Sequence, residues 1–200
     1  MSASTIKQDL LNVPNMLTSL RIVVIPVVMW LIHRGDPASC MWAAILFSLA
    51  AITDFIDGYI ARKWNLVSMT GKFLDPLADK LIVMASLVML TEVGRLPAWI
   101  TVLIVAREIS ITGLRAMAST EGIIISARSG GKFKTAFQLI GLIGLIIHFE
   151  YPTDWFIGAT SISYHTVGIY LLIISVFFSL WSAADYFIGF LKAIGDREEA

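Results

Sequence analysis

Six long apolar runs, at about 17–33, 40–62, 73–93, 97–119, 134–150 and 165–190, are divided along this chain by short polar breaks. Each run approaches or exceeds the ~20 residues that cross ~30 Å of hydrocarbon as a helix. Helices are the expected form, because each satisfies its own backbone hydrogen bonds where water is absent. The breaks hold the residues that end helices: Gly35-Asp36-Pro37, Gly94 to Pro97, Gly130-Gly131 and Tyr151-Pro152. Ahead of the first run, residues 2–13 place Ile6, Leu10 and Val13 at helical spacing. That pattern predicts a short amphipathic helix lying in the membrane interface, closed by Pro14. The pattern as a whole predicts an all-α bundle of six transmembrane helices in one domain over residues 1–200.

Composition agrees with a membrane class. Of the 200 residues, 57% are hydrophobic and 15% charged, against roughly 45–50% and 25% in soluble chains, and mean hydropathy is +0.78. A formal net charge of zero gives no overall basic excess that would point to nucleic acid. The single Cys40 excludes an intrachain disulfide. The N-terminus lacks the basic start and small-residue cleavage site of a signal peptide, so the first run is expected to remain as a helix. Eleven basic residues fall on one side of the expected bundle: Lys7, Arg21, Arg62, Lys63, Lys72, Arg115, Arg128, Lys132, Lys134, Lys192 and Arg197. Only Arg34 and Arg95 fall on the other. This asymmetry predicts both termini in the cytoplasm. Trp30, Trp42, Trp99 and Trp155 then lie near the outer interface and Trp64 near the inner one. His33, His148 and His165 fall near outer helix ends, away from any acidic cluster, and are read as interfacial.

The candidate chemistry is concentrated between Asp54 and Asp79, where four aspartates occur in 26 residues. Asp54, Asp57, Gly58 and Ala61 fall within roughly a 100° arc of one helix. Asp75 and Asp79 are one turn apart on the next helix, with Gly71 one turn earlier. A short loop makes the two helices antiparallel neighbours. Ionisable groups at membrane depth are costly unless paired, hydrated or ligating a cation. Oxygen-only donors suit Mg²⁺, Mn²⁺ or Ca²⁺, and Mg²⁺ is commonly shared between carboxylates and substrate phosphates. Gly58, Ala61 and Gly71 leave room for a phosphate or nucleotide, and Arg62 can hold a phosphate oxygen. Two other readings remain open on the residues alone: solvated charges at helix ends, and a proton or cation pathway. Clustering at one end, with no pair of broken helices, argues against the pathway.

The run Asp54-x2-Asp57-Gly58-x2-Ala61-Arg62-x8-Gly71-x3-Asp75-x3-Asp79 resembles the signature of the CDP-alcohol phosphotransferase family at every fixed position. Eight specified residues meet by chance on the order of once in 10⁹–10¹⁰ windows. The resemblance implies a six-helix membrane enzyme with two divalent metal ions, Mg²⁺ or Mn²⁺, at the cytoplasmic face. It implies Asp54, Asp57 and Asp75 as metal ligands, and Asp79 as the fourth acid, acting as general base and also as a ligand. Asp57, Gly58, Ala61, Arg62 and Gly71 are implied as the positions that bind CDP-diacylglycerol. An acceptor hydroxyl would attack the β-phosphorus of that donor and release CMP.

The acceptor must be read elsewhere. Arg115, Lys132 and Lys134 form a second basic group beside the cytoplasmic ends of the fourth and fifth helices. Such a group suits an anionic acceptor, and equally suits contact with anionic lipid headgroups. Asn12 to Thr18 with Arg21, Ala106-Arg107-Glu108, Gly113-Leu114-Arg115 and Gly131 to Thr135 resemble the glycerol-3-phosphate-using bacterial branch of that family. That likeness implies glycerol 3-phosphate as acceptor, with its phosphate held by Arg115, Lys132, Lys134 and Thr18. Inositol phosphate or a phospholipid is the alternative acceptor. The likeness also implies a homodimer in the bacterial inner membrane. Arg107 and Glu108 are adjacent on one helix and do not share a face, so each is expected to need a partner across the bundle. A structural pair is the expected role. Gly141 and Gly144 are expected to permit close helix packing.

Overall fold

A computed structural model describes residues 13–63, 69–120, 130–153 and 160–198. Within these, the side chains of residues 13–15, 17, 54–63, 69–76, 130–132, 151–153, 160–162 and 196–198 are outside the description. Among the described residues six helices follow one another: α1 (Val13–Arg34), α2 (Pro37–Lys63), α3 (Met69–Glu92), α4 (Ala98–Thr120), α5 (Gly130–Ile147) and α6 (Tyr164–Glu198). A two-stranded antiparallel hairpin, β1 (Glu150–Thr153) and β2 (Thr160–Ser163), joins α5 to α6, with Glu150 opposite Ser163 and Thr153 opposite Thr160. The hairpin qualifies the all-α expectation. Pro152, which marked only a break in the sequence, sits inside β1; a two-stranded ribbon has only edge strands, and an edge tolerates the missing donor.

The turns show why the helices stop where they do. Gly35 takes φ +71°, a left-handed conformation that ends α1. Asp36 then caps α2, its Oδ2 accepting from the Ser39 N–H at 3.0 Å, and Pro37 opens the first turn. At the end of α3, Gly94 adopts φ +72°. Its N–H bonds to the Thr91 carbonyl, and the Arg95 N–H reaches back to Leu90 at 2.9 Å, the two bonds of a Schellman motif.

The segment that Pro14 was expected to close lies outside the described residues, apart from Val13, which begins α1. Pro14 itself lies in the first turn of α1, where a proline lacks only a donor that would be unpaired anyway. Of the interfacial helix expected over residues 2–13, all but Val13 lies outside the described residues, as do Arg128, Trp64 and Trp155. Residues Tyr164–Gly195 of α6 form a stretch of 32 residues holding an 18-residue window of mean hydropathy 2.1, long and apolar enough to cross a bilayer. Among the described residues no other helix meets that test; Pro37–Thr53 and Phe133–Ile147 are shorter apolar stretches.

The apolar core occupies one half of the bundle. Ile32, Phe47, Leu87, Leu90, Ile100, Leu142, Leu145 and Leu172 are all fully buried, and all lie toward the Gly35 and Gly94 turns. α5 and α6 are pressed together by glycines: a Cβ on Gly168 would stand 2.8 Å from the Gly141 carbonyl oxygen, and one on Gly144 2.9 Å from that of Tyr164. Arg95, expected as an outer charge, is buried. It donates to Cys40 Sγ at 3.2 Å and to the Ile146 carbonyl at 3.1 Å. A cation at that carbonyl also suits the negative end of α5. Cys40 is correspondingly a buried free thiol. His148 and His165 face one another, Nδ1 to Nδ1 at 3.2 Å. Among the described residues, buried Thr18, Arg21, Lys134 and Ser179 lie toward the opposite end, together with the buried apolar Ile111, Ala118 and Phe190.

Candidate active site

The helical backbone of α2 carries Asp54, Asp57, Gly58, Ala61 and Arg62, and that of α3 carries Gly71, Asp75 and Asp79. The side chains of Asp54, Asp57, Gly58, Ala61, Arg62, Gly71 and Asp75 lie outside the described residues, as does that of Lys132. Asp79 is described, and its surroundings are specific. Its Oδ1 is 3.5 Å from Nη1 of Arg21 on α1. Arg21 is 3% exposed while the Asp79 side chain remains 47% exposed, so a buried cation supports an accessible carboxylate. The pairing follows from packing: α1 lies along both α2 and α3. Thr18, one turn before Arg21, is also buried. Counted by position alone, Arg21 belonged to the positive-inside set; its place one turn after Thr18 was the available signal for more.

A second polar group begins at the next residue. Lys80 Nζ lies 2.5 Å from Thr112 Oγ1 on α4, and that hydroxyl bonds to the Glu108 carbonyl at 2.6 Å. Arg107 and Glu108 form the expected pair, although adjacent positions do not share a helix face: Arg107 Nη1 is 3.0 Å from Glu108 Oε1. Their bonds originate 100° apart, yet both side chains are long enough to bend toward α5 and α6. Glu108 Oε1 also pairs with Lys134 Nζ on α5. Arg107 Nε donates to the Ser179 carbonyl on α6 at 3.1 Å, and Ser175 Oγ donates to the Lys134 carbonyl at 3.0 Å. Both residues thus have the cross-bundle partners that were expected as well.

These contacts join four helices in one cluster. Lys134 is 7% exposed, and the Arg107 and Glu108 side chains 10% and 17%. Burying such ions costs several kcal/mol each unless partners compensate. Lys80, Arg107 and Lys134 also lie close enough to repel one another, with Arg115 adding to the field at Lys80 and Arg107. Glu108 pairs with two of these cations, Arg107 and Lys134, and the Asp79 carboxylate acts on Lys80. Three fixed cations gathered in one cluster are suited to holding an anion. Arg115 lies apart from these three cations: it is exposed, with its guanidinium 5.7 Å from the centre of the Tyr186 ring. Of the residues expected to hold the acceptor phosphate, Lys134 is therefore in the cluster, Arg115 at its edge, and Thr18 beside Arg21 on α1.

The comparison with known proteins decides the family. The family model described as CDP-alcohol phosphatidyltransferase matches residues 11–181. The chain belongs to that family. It is 38% identical over 188 residues to the CDP-diacylglycerol–glycerol-3-phosphate 3-phosphatidyltransferase of Bacillus subtilis (strain 168), covering 88% of this chain and 93% of that one. The enzyme of the same name from Rickettsia bellii (strain RML369-C) is 38% identical over 179 residues, with the same coverage. A probable phosphatidylglycerophosphate synthase of Mycobacterium tuberculosis (strain H37Rv) is 34% identical over 187 residues, covering 92% of this chain and 84% of that one. Family membership makes the chain a transferase of substituted phosphate groups. The eight-residue pattern from Asp54 to Asp79 lies wholly within the matched segment.

Proposed function

We propose that this chain transfers the phosphatidyl group of CDP-diacylglycerol to glycerol 3-phosphate, giving phosphatidylglycerophosphate and CMP. One observation carries the reading beyond the family: Lys80, the residue after Asp79 and within reach of its charge, belongs to one cluster of cations with Arg107 and Lys134. A proton acceptor and an anion-holding group are thereby adjacent, which is what an acceptor bearing both a hydroxyl and a phosphate requires. The names of the relatives point to the same pair of substrates.

Asp79 takes the proton of the attacking hydroxyl, whose oxygen forms a bond to the β-phosphorus as the bond to the CMP oxygen breaks. The Arg21 guanidinium, 3.5 Å from its Oδ1, orients the carboxylate that accepts this proton. Lys134, Lys132 and Arg115 hold the phosphate of glycerol 3-phosphate, with Thr18 contributing from α1. Asp57, Gly58, Ala61, Arg62 and Gly71 receive the CDP moiety, the small residues leaving space for it and Arg62 binding phosphate oxygen. The donor set of Asp54, Asp57, Asp75 and Asp79 is all oxygen, which fits two Mg²⁺ or Mn²⁺ ions. When bound there, such ions neutralise the diphosphate and stabilise charge at phosphorus.

The same reading places the chain in the bacterial inner membrane as six spans, with both termini and the acids facing the cytoplasm. The basic asymmetry supports the orientation. Large apolar side chains exposed on several helices, among them Val23, Val102, Ile109, Phe177 and Trp181, support a lipid surround. The family resemblance supports a homodimer.

An acceptor panel tests the reaction. Purified protein is expected to release CMP from CDP-diacylglycerol when glycerol 3-phosphate and Mg²⁺ or Mn²⁺ are supplied, and not with serine or inositol phosphate. CMP release with either of those instead overturns the acceptor. Metal flux in proteoliposomes without CMP release replaces the enzyme by a transporter.

A further inference from the structure

Lysine is a poor device for aiming charge. Its ammonium rides on four flexible carbons, and only contacts at its tip fix where it points. Lys134 is fixed at both ends. Its carbonyl accepts from Ser175 Oγ on α6, and its Nζ pairs with Glu108 Oε1. Glu108 is fixed in turn, because the same oxygen accepts from Arg107 Nη1, and Arg107 Nε is tied to the Ser179 backbone carbonyl. A chain of contacts thus runs from the α6 backbone through Arg107 and Glu108 to the Lys134 ammonium. Among the described residues, Glu108 is shared between two cations, Arg107 and Lys134, so the position of one ammonium depends on the carboxylate that the other also holds.

We propose that Glu108 is a positioning residue of the acceptor subsite, holding the Lys134 ammonium where the acceptor's phosphate meets it. The inference rests on the proposed use of Lys134 for the phosphate of glycerol 3-phosphate and adds a role for Glu108, which itself repels that phosphate and acts only through the lysine. Glu108→Gln keeps the size and the hydrogen-bonding tip while removing the charge.

The test is steady-state kinetics on folded, detergent-purified protein. Glu108→Gln should raise the KM for glycerol 3-phosphate about tenfold or more, matching the loss of one charge-assisted hydrogen bond. The KM for CDP-diacylglycerol should stay unchanged. Glu108→Asp should recover part of the loss. On a Lys134→Ala background, Glu108→Gln should add nothing further. A lesion that merely loosened the bundle would lower kcat and raise both KM values together, and that result overturns the proposal. So does an unchanged acceptor KM in Glu108→Gln, or an equal effect with and without Lys134. If Glu108→Gln does not fold, Glu108→Asp carries the test, and the proposal then requires a rise in acceptor KM alone. Lys134→Ala separates the two levels. An unchanged acceptor KM there means the acceptor subsite is wrongly placed; a raised KM there, with Glu108→Gln unaffected, removes only the role of Glu108.

Discussion

Two glycines in α6 should respond to the same substitution with opposite signs. A methyl group on Gly168 would meet the Gly141 carbonyl oxygen at 2.8 Å, the Leu145 amide nitrogen at 2.9 Å and Leu145 Cγ at 3.0 Å. Two of those atoms are backbone, so rotamer changes cannot relieve the clash. α5 and α6 must instead separate by about half an ångström to restore ordinary contact distances. Overpacking of this kind costs about 1–3 kcal/mol, offset by the ~0.5–1 kcal/mol gained when alanine replaces a helical glycine. A net loss of about 1–2 kcal/mol is expected for Gly168→Ala. At Gly195, further along the same helix, nothing stands within 4 Å of the added carbon. Gly195→Ala should therefore stabilise by about 0.5–1 kcal/mol. Denaturant unfolding of the purified protein in mixed micelles, followed by far-ultraviolet circular dichroism, measures both. Equal stability of Gly168→Ala and the parent protein, or a gain matching that of Gly195→Ala, would refute the close crossing of α5 and α6.

Three further outcomes are expected. Asp79→Asn should abolish CMP release while the protein still binds Mn²⁺ through the remaining acids; normal turnover would remove Asp79 as proton acceptor. Lys132→Ala and Arg115→Ala should each raise the apparent KM for glycerol 3-phosphate with little change in kcat, read from initial rates of CMP release; unchanged values in both would leave these residues as membrane-facing charges. The Ser39 N–H bonded to the Asp36 carboxylate, helped by Arg34, holds that carboxyl below its ordinary value of 3.8. Its contribution to stability is therefore present above that value and is lost as pH falls through the lower folded one. Asp36→Asn keeps a capping oxygen without the charge, so its unfolding midpoint should depend less on pH in the acid range than that of the parent.

Periodicity and spacing were enough to find six helices and their turns, because those features are local. Gly35-Asp36-Pro37 and Gly94 end and begin helices through backbone conformations that one or two residues dictate, and the structure uses them so. The acidic pattern was equally legible, since it consists of residue types at fixed intervals within two helices. The hairpin at Glu150–Ser163 was not legible: its strands are four residues each, one contains proline, and pairing between them is not a local property. The start of α1 was misplaced because proline can close one segment or open the next.

What the sequence by itself determined is the family, the donor chemistry and the residues expected to hold it. What only the tertiary structure decided is which charges meet. Arg21 and Asp79 are separated by more than two helices' worth of chain, and α1 packing against α3 pairs them. Arg107 and Glu108 looked divergent on a helical wheel, and α5 and α6 supplied the lysine and the carbonyl that draw them together. The physical reason is that an ion's partner is fixed by distance through the bundle and by the cost of burying it alone, and neither is written in spacing along the chain.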